Sequence, residues 1–473
     1  MTSDQHRNPD PPLDWHAIPE ASTILPTMEA EPELTTLPLS RAIVKLAGPA
    51  MISMLLLIIF NLIDIWWVGK LGPAPLAGVS AASFIYWALQ SVGTLISTGV
   101  TAMVARFAGG KKHKEANLVA QQGFLLAIFI ALVFSITGLL LSPSIFTAMG
   151  LKGMVLHSAN QYMLYIYLGL FCIYLVYALE AVFRGLGDTK TPLKIMVIGL
   201  SINIILDPVF IFGLGPLPAF GVGGAAIATV ISHLIGAILC FIILNKRQVR
   251  IYPHRFSVSA DMIWRISKIG APIAFSGVMF SISYLVLTDI ITDYGSEAIA
   301  ALGLGHRIEG LAYFSAVGFA VAAEALVGQN LGASKPERAE KAAWLSVLYI
   351  GLLLLLISVL FYIFPEPIFR VFTDDPRIVE HGKNYLRIIA VFEIFLGVEL
   401  VLEGAFSGAG NSLPPMIVIV PLTWLRIPLS ILMADYFDMK SMGIWWAISI
   451  TTAMKGIVLV FWFKKNKWKY KQV

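Results

Sequence analysis

Asp64 and Asp207 each interrupt a long apolar stretch. A carboxylate in a bilayer-length apolar segment costs about 2.5–3.5 kcal/mol on insertion scales, so each one needs a physical reason. Counted from the nearer segment ends, Asp64 lies about five residues in from Gly69 and Asp207 about six in from Gly213; Tyr162 is about five into its segment and Thr229 about eight. At about 1.5 Å per residue, all four fall roughly 7–12 Å below one surface. Asn203 precedes Asp207 by four residues, so the two share a helix face. Pro208 follows and leaves a backbone carbonyl without its helical donor. Two carboxylates, an amide, a hydroxyl and a phenol at one level are hard oxygen ligands. They suit a small cation, or a proton shared between the carboxylates. A single aspartate near a segment end reads better as one that reaches water. Two, with Asn203, Tyr162 and Thr229 at matching depth, read better as a cation or proton site.

The elements that position these residues are membrane helices. Of 473 residues, 57% are hydrophobic and 13% charged, and the mean hydropathy is +0.78. So little charge cannot cover a water-facing surface. Twelve segments are long enough to span a bilayer, the tenth near residues 382–406. Residues 1–40 differ, with seven acidic residues, one Arg, seven prolines and no apolar run, which predicts a disordered acidic tail. With the N-terminus inside, the inner segments carry 24 Lys and Arg and the outer loops six. The positive-inside rule then places both termini in the cytoplasm of a multi-pass plasma-membrane protein. It also accounts for the net charge of +5 through anionic lipid, without a nucleic-acid partner.

The chain contains itself twice. A shift of 223 places Pro49 on Pro272, Gly72 on Gly295, Gly109 on Gly332, Glu180 on Glu403, Gly187 on Gly410 and Pro192 on Pro415. Each repeat holds six spans, so both have the same orientation. This predicts an all-α membrane protein of two pseudo-symmetric six-helix lobes, related by a two-fold axis along the membrane normal. The N-lobe is residues 41–245, the cytoplasmic linker 246–260, the C-lobe 261–465 and the basic cytoplasmic tail 466–473. Two such lobes would form a V around a cavity open to one side at a time.

The repeat also serves as a control. Asp64 becomes Leu287, Asn203 becomes Arg426 and Asp207 becomes Ser430, so the fold itself does not demand the carboxylates. Arg426, with Glu393, Glu399 and Glu403 near it in sequence, predicts a permanent internal ion pair that pins the C-lobe. Glu180 and Glu403 lie near inner span ends and are expected to snorkel to the cytoplasm. Glu324, Glu309, Arg307 and Asp289 either line a central cavity or pair among themselves. Glu180, Glu324, Arg307, Asp289, Arg426 and Glu403 are thus the candidates for a gate or cavity lining.

Several chemistries find no support. Cys172 and Cys240 both sit in apolar spans and read as packed thiols. No zinc-protease pattern, Cys-x-x-Cys pair or phosphate loop is present, so an enzyme is not expected. Gly221, Gly223 and Gly224 read as a small-residue helix-packing face.

With these residues in hand, the chain resembles the multidrug and toxic compound extrusion (MATE) transporters, in their prokaryotic branch with an N-lobe aspartate pair. The resemblance rests on Asn61-x-x-Asp64 leading to Gly69-x-x-Gly72, on Arg184-Gly-x-Gly-Asp-Thr189, on Asn203-x-x-x-Asp207-Pro208 and on Leu326-Val-Gly-Gln329. It covers nearly everything beyond residue 40. It implies a secondary active antiporter that exports amphipathic, often cationic, compounds in exchange for Na⁺ or H⁺. It also implies no other cofactor and a cation site at Asp64, Tyr162, Asn203, Asp207 and Thr229, with Na⁺ held by Asp64, Asn203, Asp207 and Thr229. Small organic molecules and membrane lipid are the expected partners, and the protein is expected to be a monomer. Glu180, Glu324 and Gly410-Asn411-Ser412 depart from the family's pattern, which bears on substrate rather than fold. A lipid-linked saccharide flippase is the alternative that Arg307, Arg387, Arg426 and Lys455 keep open. A membrane enzyme or receptor subunit would leave the duplication without a role.

Overall fold

The computed structural model describes residues 34–214, 217–246 and 257–471. Six long helices form the first lobe: α1 (Leu39–Gly69), α2 (Pro73–Gly109), α3 (His113–Ala148), α4 (Gly153–Gly185), α5 (Lys190–Phe212) and α6 (Val222–Asn245). The second lobe holds α7 (Ala260–Thr292), α8 (Ser296–Gly332), α9 (Pro336–Ile363), the short α10 (Pro365–Arg370), α11 (Pro376–Ala390), α12 (Glu393–Gly408), α13 (Leu413–Ile431) and α14 (Ser441–Phe463). A π-helical turn (Leu432–Tyr436) extends α13, and a 3-10 turn (Lys467–Tyr470) follows α14.

Among the described residues, eleven helices are long and apolar enough to cross a membrane alone. The twelfth crossing is α11 and α12 in series. The expected continuous tenth span is therefore broken at Val391–Phe392, where Phe392 N–H donates to Ile389 O at 2.8 Å and Phe395 N–H to Phe392 O at 2.9 Å. No proline marks the break. Its counterpart in the first lobe, Leu168–Gly169, lies within continuous α4. The break places Glu393 in the first turn of α12, 2% exposed.

The two lobes repeat one another in detail. Gly187 (φ 85°) and Gly410 (φ 73°) end α4 and α12 in the left-handed region that glycine enters freely. In both turns the next residue's N–H returns to a phenylalanine carbonyl, Asp188 to Phe183 and Asn411 to Phe406, each at 2.9 Å. Ser53 and Ser276 bond the carbonyls of Pro49 and Pro272, each at 3.0 Å. The register changes only at the last helix of each lobe. Gly221 (φ 56°) caps α6 and Lys440 (φ 52°) caps α14, an offset of 219, because the first lobe carries four more residues in the preceding loop.

The lobes meet along α1, α2, α7 and α8. Their closest backbone approaches lie in the half nearer the two termini. A Cβ on Gly109 would stand 2.0 Å from Gln329 O, and one on its repeat mate Gly332 would stand 2.0 Å from Arg106 O, the same contact made twice about a pseudo-two-fold axis. Gly270 (1.8 Å from Leu95 O) and Gly318 (2.6 Å from Met51 Cα) make similar approaches. A separate apolar cluster of Leu34, Ala42, Ile43, Leu46 and Ala47 against Ala322, Ala325, Leu326 and Ala342 fills the seam at this terminal face. Gly332→Ala is expected to cost about 1–3 kcal/mol, because backbone faces backbone and neither can yield. A thermal melt against Gly351→Ala, where an added Cβ meets nothing within 4 Å, measures the difference.

Of the tail expected over residues 1–40, the structure describes residues 34–40. Residues 1–33 lie outside the described residues, but Leu34 and Thr35 are buried on the terminal face and α1 begins at Leu39. Leu34 and Leu37 give this stretch an apolar side to bury. Residues 247–256 of the expected linker and residues 472–473 of the tail also lie outside the described residues.

Candidate functional site

The first lobe brings its five polar residues to one level. Asp207 and Asn203 are fully buried on α5, and Asn203 Nδ2 donates to Asp207 Oδ1 at 3.3 Å across one helical turn. Thr229 on α6 is 1% exposed, and its hydroxyl lies 3.4 Å from Asp64 Oδ2 and 3.0 Å from Ala225 O. Asp64, half-buried on α1, lies within hydrogen-bonding reach of Asp207 and Asn203. Tyr162 on α4 is 7% exposed and faces the charge of both carboxylates. The five side chains come from four helices, with Asn203 and Asp207 sharing one face of α5, so helix packing unites them. Pro208 sits inside α5 beside the site.

Three oxygens in this cluster are buried without a partner: Asp64 Oδ1, Asp207 Oδ2 and Asn203 Oδ1. Buried polar atoms are nearly always satisfied, so three orphans in one cluster mark a place for a ligand that donates or is positive. Two ionised carboxylates also cannot touch across a hydrogen bond unless a proton or cation lies between them. The donor set is all oxygen, which fits Na⁺ or H⁺ rather than a thiophilic metal. Among the described residues no group of three or more His, Cys, Asp and Glu could hold a metal ion.

Sequence reasoning missed two neighbours. Tyr86 on α2 faces Asp64. His233, on α6, places Nδ1 2.8 Å from Thr229 O and packs edge-on against Phe60. Its spacing of four from Thr229 was the available signal.

The structure corrects two expectations, one in each lobe. Arg426 makes no ion pair with a carboxylate within 4.0 Å among the described residues. Its Nε donates to Thr451 at 3.1 Å, Nη1 to the Tyr284 hydroxyl at 3.0 Å, and Nη2 to Thr452 at 3.3 Å and Ile448 O at 3.5 Å. α14 lies beside α13 and turns its threonines to the guanidinium, so neutral oxygens occupy every position within reach. The internal ion pair is instead Lys455 Nζ to Glu399 Oε1 at 2.7 Å, with side chains 3% and 5% exposed. Glu180 does not reach water alone. It pairs with Arg184 at 3.8 Å one turn on, and Arg184 also donates to Ser97 at 2.8 Å.

The remaining candidates are scattered. Glu309 takes hydrogen bonds from Tyr385 at 2.5 Å and faces His306 Nδ1 at 3.1 Å. Glu403 is half-buried near the Lys455–Glu399 pair. Glu324 is 9% exposed with Oε1 unpartnered. Arg307 and Asp289 are exposed. Of the two readings offered for Glu324, Glu309, Arg307 and Asp289, pairing among themselves is absent within 4.0 Å among the described residues.

Comparison with known proteins bears on the family and the fold. The family described as MatE matches residues 49–209 and again 272–432, two stretches offset by the same 223. A probable multidrug resistance protein NorM of Thermotoga maritima is 30% identical over 444 residues, covering 92% of this chain and 94% of that one. An FAD transporter of Shewanella oneidensis is 26% identical over 431 residues, covering 90% and 95%. Among solved structures, an outward-facing multidrug resistance MATE family transporter superposes with a TM-score of 0.86 at 26% identity, covering 93% of this chain and 98% of that one.

Proposed function

We propose that this chain, which belongs to the MATE family of multidrug efflux transporters, is an antiporter that exports amphipathic cationic compounds in exchange for Na⁺ or H⁺ by alternating access. The observation that carries the coupling is the trio of unpartnered oxygens on Asp64, Asn203 and Asp207. With both carboxylates ionised and nothing between them, α1 and α5 repel across a dry gap. A Na⁺ ion or a proton removes that repulsion and lets α1, α5 and α6 close, with Pro208 as the bend. Thr229 and the phenols of Tyr162 and Tyr86 can complete the shell. Binding then favours one access state, and a differential of this kind is what coupling requires.

The lysine and arginine distribution supports a terminal face on the cytoplasmic side of the plasma membrane. The lobes pack closely there, which leaves the cavity to open on the opposite side. The MATE transporter with the outward-facing description superposes on this arrangement. Purified protein in sealed vesicles, loaded with a fluorescent lipophilic cation, tests the reading. An imposed inward Na⁺ or H⁺ gradient is expected to drive cation efflux at several times the rate without a gradient. A rate that neither gradient raises above the rate without one overturns it.

A second reading follows from the Arg426 guanidinium, which is buried with neutral partners, and from the Shewanella oneidensis relative named an FAD transporter. A cargo with negative charge would find attraction on the second lobe. The same vesicles loaded with FAD distinguish the two, since a cation exporter leaves the flavin inside. In both readings Arg426→Gln should leave the Na⁺ and pH dependence of substrate affinity in place, because coupling runs through the first lobe.

A further inference from the structure

The first and last described segments, residues 34–37 and 467–471, fold back onto one corner of the terminal face, the turn between α8 and α9 with the first two turns of α9. From the N-terminal side, Lys335 Nζ donates to Thr35 O at 3.1 Å, and Arg338 Nη2 donates to Leu34 O at 3.3 Å and to Leu37 O. The Leu34 side chain reaches across to the first lobe, where a Cβ on Gly187 would stand 2.3 Å from Leu34 Cδ1. From the C-terminal side, Trp468 is 1% exposed and stacks on Phe463 with centroids 4.4 Å apart, and its Nε1 donates to Phe463 O at 2.9 Å. That anchor aims Lys469 at α9, with Nζ 2.6 Å from Glu340 and 3.2 Å from Glu337. Just past the 3-10 turn, Lys471 O accepts from Arg106 Nη2 at 2.9 Å, and Arg106 lies in the last turn of α2 in the first lobe.

The four residues Lys335, Glu337, Arg338 and Glu340 thus alternate in charge and in target. The two cations take backbone carbonyls of the N-terminal segment, and the two anions take the lysine of the C-terminal segment. Bonds from Lys335 and Arg338 link α9 to the segment that leads into α1, and the Arg106 bond links α2 to the end of the second lobe. All of them cross the seam that the glycine contacts close.

We propose that the α8–α9 corner is a clasp for both termini, and that Arg106, Lys335, Glu337, Arg338, Glu340 and Lys469 are gating residues that hold the terminal face closed. This rests on the alternating-access reading, since a clasp has a role only if the lobes part there. The chemistry suits the task. The seam beneath is largely apolar and backbone-to-backbone, and one buried bond, Gln329 Nε2 to Gly185 O at 2.9 Å, crosses it. The clasp sits at the rim, where Glu337 is 76% and Glu340 24% exposed. Lys469 itself is 5% exposed while its partners open to water, so these are rim pairs of moderate strength, and the set biases an equilibrium without locking it. The tail that sequence alone reads as a basic end is in this view a strap.

Spin labels at exposed Lys114 on α3 and Lys341 on α9 report the separation of the lobes at the terminal face. Native Cys172 and Cys240 are buried and do not compete for label. Pulsed dipolar distances are taken with and without substrate, across pH and Na⁺ concentration. The wild type is expected to show a major short and a minor long distance. Lys469→Ala, Arg106→Gln and Arg338→Gln should each raise the long-distance fraction about two- to tenfold. Lys469→Arg should restore the wild-type distribution, which a loss of folding would not allow. If the wild type shows both distances and the three variants leave their ratio unchanged, the clasp is overturned while alternating access stands. If the wild type shows only the short distance under every condition, alternating access fails and the clasp with it.

Discussion

Asp207→Asn and Asp64→Asn are each expected to reduce gradient-driven export to the background of empty vesicles, while the protein still folds and inserts. The substitution is close to isosteric and removes a charge from a dry site, so it relieves electrostatic strain and should leave thermal stability unchanged or slightly higher. What it removes is the difference between the loaded and empty states. A two-state equilibrium moves only as far as the driving ligand distinguishes the states, and a move from 1:99 to 99:1 needs a preference of about 10⁴-fold. A neutral amide beside one remaining carboxylate cannot supply that. Nothing in the fold resists the change, because the second lobe builds the same helices with fully buried Leu287 and Ser430 at these positions. Resistance to a toxic cation in cells, together with efflux from vesicles, measures the effect. Undiminished export by the double variant would exclude this pair as the coupling site.

The second large effect concerns stability. Lys455→Ala is expected to destabilise the protein by about 3–5 kcal/mol, because it leaves Glu399 charged and buried without its partner. One Glu399 oxygen, Oε2, already lacks a hydrogen bond, so no local donor stands ready to take the place of Lys455. Glu399→Val paired with Lys455→Met should recover most of the loss. The first lobe supplies the precedent. Val176 stands at the position of Glu399, Gly236 at that of Lys455 in the 219 register, and a Cβ on Gly236 would lie 3.6 Å from Val176 Cγ2. An apolar pair therefore fills this contact in one lobe and an ion pair in the other. Thermal unfolding in detergent of Glu399→Val, Lys455→Met and the double variant forms a cycle. Additive losses would mean that the 2.7 Å contact contributes no coupling energy.

What could be read directly from the residues depends on periodicity and depth. Apolar length gave the crossings, the 223 shift gave two lobes of like orientation, and a constant rise per residue placed Asp64, Asp207, Thr229 and Tyr162 at one level. The four-residue spacing put Asn203 beside Asp207. These properties are local, since each follows from one helix and the membrane around it. Partner choice is not local. Arg426 was expected to meet a carboxylate, yet the rotation of α14 against α13 presents Thr451 and Thr452 to it, while Lys455 on the same helix reaches Glu399, 56 residues away in sequence. The break at Val391–Phe392 carries no proline or glycine, and its sister segment runs straight through. The two termini read as loose ends because their anchors, Gly187, Arg106 and the first turns of α9, lie 129 to 365 residues away wherever the bonds run between side chain and tail. Helix rotation and lobe docking are settled by how side chains interlock over the whole seam, and a chain pattern with period 3.6 fixes the face of each helix without naming the neighbour that will cover it.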